Sequence, residues 1–361
     1  MPCEDDFAVF DLGGTWFRSG RYVPSRGLVD AQRDAAISYR SHPHLNVAEL
    51  QRAMTDFIVL RTRQMQDASS FARRAAYVSI GAPVNAHDQI VLGSGPLWGT
   101  GSSPFHLQKS LQEAMPQMHW QVINDITALL GPYIGTHTSY RKTLLVTVST
   151  GIGSRLYDHV AQRIPYDTVH GVQGEIGHLP VACALFGTLL SRSCECGGRD
   201  HLNAFSSGRG IAEVLRRLPN LSSSYGAMFD DPPDFWEHAG EDYRLGAFNR
   251  LLDAQNSNAV ALLDALVTPL ARILATALSL DPDIDRIVIT GGVVHGLGAH
   301  YREALLRAFA RDGLYQITEL DPDYLARRLH WEGQDDFGGL RGVGLLAQIG
   351  FLIQQNTRGE K

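Results

Sequence analysis

The chain has 361 residues, 44% of them hydrophobic and 19% charged, which excludes a disordered polymer and leaves room for two domains with their own cores. With 32 basic and 38 acidic residues the formal charge is −6, so no overall basic field would attract nucleic acid or an anionic membrane. Four cysteines do not make a disulfide framework, and the acidic start Met1–Asp6 lacks the pattern of a secretory leader, so a cytoplasmic protein is expected.

In chain order, Phe7–Phe10 reads as a short strand broken by Asp11-Leu-Gly-Gly-Thr15 and resumed by Trp16–Tyr22, a hairpin with a glycine turn. Val47 to Gln66 has helical periodicity, with Leu50, Met54, Phe57, Ile58 and Leu60 on one apolar stripe. Ala76–Ile80 and Trp120–Ile123 read as strands; Asn124-Asp125 ends the second, and a helix follows over Ile126–Leu130. Thr143–Val148 is a buried-type strand that runs into Ser149-Thr-Gly-Ile-Gly153 and a further strand at Ser154–Tyr157. This unit echoes the first about 138 residues later (149 − 11), as a duplicated nucleotide fold would.

Residues 220–243 are turn-rich and predict an exposed insertion. Ala259–Leu280 is the longest apolar stretch; with Asp264, Pro269 and Arg272 inside it, it predicts a core helix, kinked at Thr268-Pro269, rather than a membrane span. Arg286–Thr290 predicts a strand entering Gly291-Gly292, and Leu340–Leu352 a late helix.

Three glycine turns follow strands. Glycine lets backbone N–H groups approach an anion without Cβ obstruction, and a threonine hydroxyl adds a donor. Asp11 beside Gly13, Gly14 and Thr15 puts a carboxylate where Mg²⁺ accompanying phosphates would sit, although an ordinary hairpin turn has the same look. Thr150, Gly151 and Gly153 offer a second cradle, and Gly291 and Gly292 a place for an adenosine. Asn124 and Asp125 occupy the C-terminal strand end, where α/β proteins present side chains to ligands. There Asp125 can take the proton of a hydroxyl as a phosphoryl group arrives, or the pair can simply cap the next helix. His178, Cys194, Cys196 and His201, spaced H-x15-C-x-C-x4-H, fit a closed tetrahedral zinc site, with loop thiols and unrelated histidines as the alternative.

Together Asp11-Leu-Gly-Gly-Thr15, Ser149-Thr-Gly-Ile-Gly153, Gly174-Glu-Ile-Gly-His178, Cys194-Glu-Cys-Gly197 and Ile289-Thr-Gly-Gly-Val293 resemble the ROK family (repressors, open reading frames, kinases) from about residue 7 to 350. The resemblance implies an α/β, actin/hexokinase-type (ribonuclease H-like) fold of two domains around a cleft. Residues 1–123 and a C-terminal helix at about 338–361 would form the small domain, and 124–337 the large one. It implies a Mg-ATP-dependent sugar kinase with a structural Zn²⁺ on His178, Cys194, Cys196 and His201, and a homodimer is a frequent assembly in the family. Asp11, Gly13, Gly14 and Thr15 would form the first phosphate loop, Thr150, Gly151 and Gly153 the second, and Gly291 and Gly292 would face the adenosine. Asn124, Glu175 and His178 would bind substrate hydroxyls, and Asp125 would be the base.

Five departures from the family pattern bear on the acceptor. Where the family has C-x-C-G-x-x-G-C-x-E, this chain has Asp200, His201 and Asn203 at the last glycine, cysteine and glutamate. Ser154-Arg155 replace glycines after the second turn, and Gly93-Ser-Gly-Pro-Leu97 stands for A-P-N-L. An amide at 203 can donate to a carbonyl where a glutamate can only accept. The pattern is therefore similar to the cyclitol and aminosugar kinases of natural-product (antibiotic) biosynthesis. It fits a C7-cyclitol ketone such as 2-epi-5-epi-valiolone, phosphorylated at its primary 7-hydroxyl, with Asn203 facing the ketone. A glucokinase or N-acetylhexosamine 6-kinase is the alternative acceptor reading. A sugar-sensing regulator is disfavoured, because the first strand begins near Phe7 with no helix-turn-helix ahead of it.

Overall fold

The computed structural model describes residues 5–68, 74–99, 104–134, 139–185, 187–221 and 237–351. By its contacts the chain forms two units, one of Met1–Ser139, Arg155–Gly174 and Asp335–Lys361, the other of Tyr140–Ser154 and Glu175–Gln334.

The first unit is built on a five-stranded sheet of order β3-β2-β1-β4-β7. Strands β1 (Phe7–Leu12) and β2 (Trp16–Val23) form the expected hairpin, and β3 (Gly27–Ala35) extends it antiparallel. On the other side of β1, β4 (Ala75–Ile80) and then β7 (His119–Asn124) run parallel to it. Both β1 and β4 are buried along their whole length, as the β-rich runs FAVFDL and AAYVSI require of central strands. A small hairpin, β5 (Val84–Asn85) and β6 (Ile90–Val91), lies beside them.

Helix α1 (Val47–Ala68) starts at a reciprocal cap: Asn46 Oδ1 accepts from Glu49 N at 3.0 Å and Glu49 Oε2 from Asn46 N at 2.8 Å. Leu50, Met54 and Ile58 are buried under it, each contributing about 1.5–3 kcal/mol of apolar burial. Leu60 does not join that stripe. It is 56% exposed, and the neighbouring Val59 is turned inward instead. Short helices α2 (Gly95–Trp98), α3 (Leu107–Ala114) and α4 (Asp125–Leu129) follow. The helix Gly338–Gln348 packs against α4 and β1 of the same unit, and residues 352–361 of the expected C-terminal element lie outside the described residues.

The second unit has a four-stranded sheet of order β13-β12-β8-β9. Strand β8 (Lys142–Val148) turns into β9 (Ile152–Asp158), along which the chain passes into the first unit. After the β10 (Cys183–Leu185) and β11 (Thr188–Leu190) hairpin come α5 (Asn203–Ser206) and α6 (Gly208–Leu221). Strand β12 (Ile284–Thr290) runs parallel to β8 and to β13 (Leu329–Trp331). Of the expected insertion at 220–243, residues 222–236 lie outside the described residues, and Glu241 already opens a helix to Asp253.

Helix Ser257–Leu280 is long and apolar enough in composition to cross a membrane, but Leu262, Leu263, Leu266, Leu270 and Leu274 are buried inside the unit. It continues through Pro269, which supplies no N–H to the carbonyl four residues back. The Cys183 thiol lies 3.6 Å from that carbonyl, Ala265 O, and burial pushes the thiol up to about 11, so it remains a protonated donor.

The division differs from the one expected at residue 123. Asn124 pairs in register with Ile80 at the end of β4, and α4 packs on Gly338–Gln348, so Asn124 and Asp125 fold with the first sheet.

Candidate active site

In the first unit the chemistry gathers where β1, β4 and β7 end. Asp11 stands in register with Arg18 on β2 and Ser79 on β4. Those two residues hold its carboxylate: Ser79 Oγ donates to Oδ1 at 2.7 Å, and Arg18 Nη1 lies 3.2 Å from Oδ2. Gly339, in the first turn of Gly338–Gln348, closes the remaining side, since a Cβ there would lie 2.6 Å from Asp11 Cγ.

The turn after β1 is fixed by Gly13 N donating to Trp16 O at 3.0 Å, and Pro96 packs directly on Gly14. Thr15 is exposed at the tip. Pro96 belongs to Gly93–Leu97, where the family carries A-P-N-L; Ser94 Oγ ties this segment to Gly81 O at 2.8 Å. A Cβ built on Gly81 would be 3.7 Å from Gly13 Cα and 3.5 Å from Asp125 Oδ2, so the glycine turn and the Asp125 carboxylate flank the same residue.

Asn124 caps α4, the alternative that the sequence left open. Its Oδ1 accepts from Ile126 N at 3.0 Å and Thr127 N at 3.3 Å, and also from Arg155 Nη2. Its Nδ2 donates to Ala82 O at 2.9 Å and to Asp125 Oδ1 at 3.0 Å. These contacts engage both ends of the amide, so in this structure Asn124 caps α4 and holds the next residue. Asp125 Oδ1 also accepts from Ile126 N at 2.9 Å.

The second unit collects the other motifs. Thr150 and Gly151 lie in the turn after β8, where Ser149 N donates to Gly151 O at 2.9 Å, and Gly153 is the second residue of β9. The parallel neighbour β12 ends beside this turn. Its Gly291, at φ +113°, lies so close to β8 that a Cβ would meet Val148 O at 2.4 Å; Gly292 is open. Gly208, at the start of α6, donates to Ser149 O at 2.8 Å. The N-termini of α6 and of the helix Gly292–Asp312 therefore both begin at this turn, an arrangement suited to phosphate oxygens.

Asn203 lies between that turn and the Glu175–His178 segment. Its Oδ1 accepts from Ile152 N at 2.7 Å, its amide rests against Gly177, and among the described residues its Nδ2 has no acceptor. Glu175 caps the short turn Ile176–His178 and accepts from His178 N at 3.0 Å.

The ligating atoms of His178, Cys194, Cys196 and His201 lie within 4.8 Å of one another. His178 Nδ1 is 3.8 Å from Cys194 Sγ, and His201 Nδ1 is 3.2 Å from Cys196 Sγ. Two thiols and two imidazoles at these separations fit the ligand edges of a tetrahedral zinc site. Without a metal, burial and then the charge of His201 push His178 down, and burial pushes the Cys194 thiol up. Asp200, where the family has glycine, stands in the left-handed region at φ +56°; its Oδ1 accepts from Arg192 N at 2.6 Å, which holds its carboxyl low.

Three residues that shape these clusters escaped sequence reasoning: Ser79, Arg18 and Gly339. Ser79 carried a signal, as the one serine in an otherwise apolar and aromatic strand.

The ROK family model matches residues 28–348. The chain is 35% identical over 355 residues to the 2-epi-5-epi-valiolone 7-kinase of Actinoplanes sp., spanning 96% of this chain and 94% of the relative. It is 30% identical over 356 residues to the C(7)-cyclitol 7-kinase of Streptomyces hygroscopicus subsp. limoneus, spanning 96% and 95%. Among solved structures, a ROK family glucokinase from Streptomyces griseus in complex with glucose and AMPPNP matches with TM-score 0.67 at 17% identity, over 96% of this chain and 100% of that one. A ROK transcriptional regulator homologous to the E. coli MLC protein matches with TM-score 0.69 at 18% identity, over 98% and 81%. These likenesses establish the actin/hexokinase-type fold, which enzymes and regulators share.

Proposed function

The chain belongs to the ROK family, and from that membership we propose that it transfers the γ-phosphoryl group of Mg-ATP to the primary 7-hydroxyl of a ketone-bearing C7-cyclitol of the 2-epi-5-epi-valiolone type. The observation that carries the acceptor is Asn203. Because Ile152 N occupies its carbonyl oxygen, the group it offers a ligand is an N–H donor, which suits a ketone oxygen. A glutamate, usual at this place in the family, offers only acceptors and suits an anomeric hydroxyl. The 35% identity to a valiolone kinase supports the same acceptor.

Asp125 takes the proton of the 7-hydroxyl as its oxygen bonds to phosphorus and ADP departs. Asp11 holds the magnesium side of the triphosphate, whose ion supplies charge neutralisation. The backbone at Gly13-Gly14 and Thr150–Gly153 cradles the phosphates, and Gly291-Gly292 leaves room for the adenosine. Glu175 and His178 bind ring hydroxyls.

His178, Cys194, Cys196 and His201 would hold a structural zinc that braces this segment. With His178 Nδ1 turned to the thiols, Nε2–H remains for the substrate. Use of ATP and unpaired thiols suit the cytoplasm.

The test offers Mg-ATP with a valiolone-type ketone, an aminosugar, glucose and an N-acetylhexosamine, and follows ADP release. The ketone is expected to have the highest kcat/KM, and Asn203→Asp, which keeps the acceptor for Ile152 N but removes the donor, to lower it about 10- to 100-fold. Preference for glucose would overturn the acceptor, and tight sugar binding without ADP release would point to a regulator.

A further inference from the structure

The alternation of β9 places Arg155 inside the molecule, 2% exposed, just after the second glycine turn. Among the described residues its hydrogen bonds go to neutral oxygens: Nη2 donates to Asn124 Oδ1 and Nη1 to the backbone carbonyl of Gln173. Its guanidinium lies 5.8 Å from the ring of Tyr166, whose hydroxyl is 3.3 Å from Thr127 Oγ1 on α4. Nε is buried without a hydrogen-bond partner. Burying a cation on neutral acceptors costs stability, and a glycine here would avoid that cost. The Gln173 end is itself locked: its Oε1 accepts from Leu156 N at 2.9 Å and its Nε2 donates to Leu156 O at 3.4 Å.

We infer that Arg155 is a positioning residue for phosphoryl transfer: together with Ile126 N and Thr127 N it fixes which way the Asn124 amide faces, and through that amide the orientation of the Asp125 carboxylate. A guanidinium has donors only, so it requires the carbonyl oxygen of Asn124 on its own side. That choice turns Nδ2 towards Asp125 Oδ1, where it donates at 3.0 Å. Turned the other way, the amide would set two oxygens against each other at Asp125 and two donors against each other at Arg155. By its other arm the same guanidinium ties the residue before Gly174-Glu175 to this assembly, so one side chain sets both the proposed base and the lead-in to the substrate segment.

This inference rests on Asp125 being the base, and the experiment keeps the two readings apart. Native enzyme is first assayed on the four acceptors, and all ratios are then taken on whichever it phosphorylates, or on ATP hydrolysis if it phosphorylates none. Arg155→Lys keeps the charge but cannot span Asn124 and Gln173. Its kcat should fall at least about tenfold, with both KM values within about threefold of native. Asn124→Asp keeps the cap and gains an ion pair with Arg155, which offsets the oxygen it sets against Asp125 Oδ1 and Ala82 O, so its Tm should stay within a few degrees of native. It removes the donor to Asp125, and kcat should fall about 100-fold. The double variant should be no slower than the worse single one, because both act along one path. Native kcat in either single variant, or multiplied losses in the double, overturns the inference. If Arg155→Lys fails to fold, Asn124→Asp alone decides.

Discussion

Gly338 and Gly339 open the same helix, and replacing each by alanine isolates what Asp11 requires of its surroundings. A methyl on Gly338 would meet nothing nearer than 3.6 Å, whereas on Gly339 it would lie 2.6, 2.7 and 2.8 Å from Cγ, Oδ2 and Oδ1 of Asp11. Either alanine gains up to about 1 kcal/mol in helix propensity. At 338 that gain stands, so Tm should rise by about 2–4 °C. At 339, recovering a 3.4 Å separation needs a shift of 0.8 Å (3.4 − 2.6). The carboxylate cannot yield freely, because Ser79 and Arg18 hold its two oxygens. Overpacking of about 1–3 kcal/mol then outweighs the propensity gain and leaves Gly339→Ala about 0–2 kcal/mol less stable than native. The larger effect should be on turnover, since a displacement near 1 Å can cost about 100-fold; a fall in kcat of about 10- to 100-fold is expected by ADP release. If Gly339→Ala matched Gly338→Ala in both Tm and kcat, the fixed position of Asp11 would have no part in the reaction.

Asp125→Asn should leave Tm within a degree or two of native while kcat drops about 100- to 10,000-fold; near-native turnover would move the base elsewhere. Purified protein should carry one zinc per chain by elemental analysis, and Cys194→Ser should lose it, with Tm lowered by several degrees at about 2–4 °C per kcal/mol. Full metal content in that variant would show that Cys194 is not a ligand.

What the sequence made legible was local. The cluster of His178, Cys194, Cys196 and His201 and the glycine turns each come from short stretches in which spacing already fixes neighbourhood. The turns after β8 and β12 were each legible as apolar runs ending in glycine, but that the two strands lie side by side was not, because the pairing joins residues about 140 positions apart. Strand β3 escaped because its sequence GLVDAQRDA is half-exposed and polar, with no apolar alternation to betray it. Asn124 remained ambiguous because capping and ligand binding favour the same side chain; only the count of its partners separates them. Arg155 was visible as a departure from a glycine pattern, but its direction was not, since that depends on Asn124 and Gln173 meeting it from distant parts of the chain.

The helix Gly338–Gln348 also has a consequence for how the protein is made. It lies on Asp11, and its Gln348 accepts from the Tyr22 hydroxyl at 2.9 Å across 326 positions of sequence. During synthesis the ribosome must therefore deliver the entire second unit before the first can be closed. The sheet of β1–β4 and β7 waits, with one flank uncovered, until the helix Gly338–Gln348 has emerged. A segment from late in the chain is thus the one that closes over Asp11, a carboxylate from near its beginning.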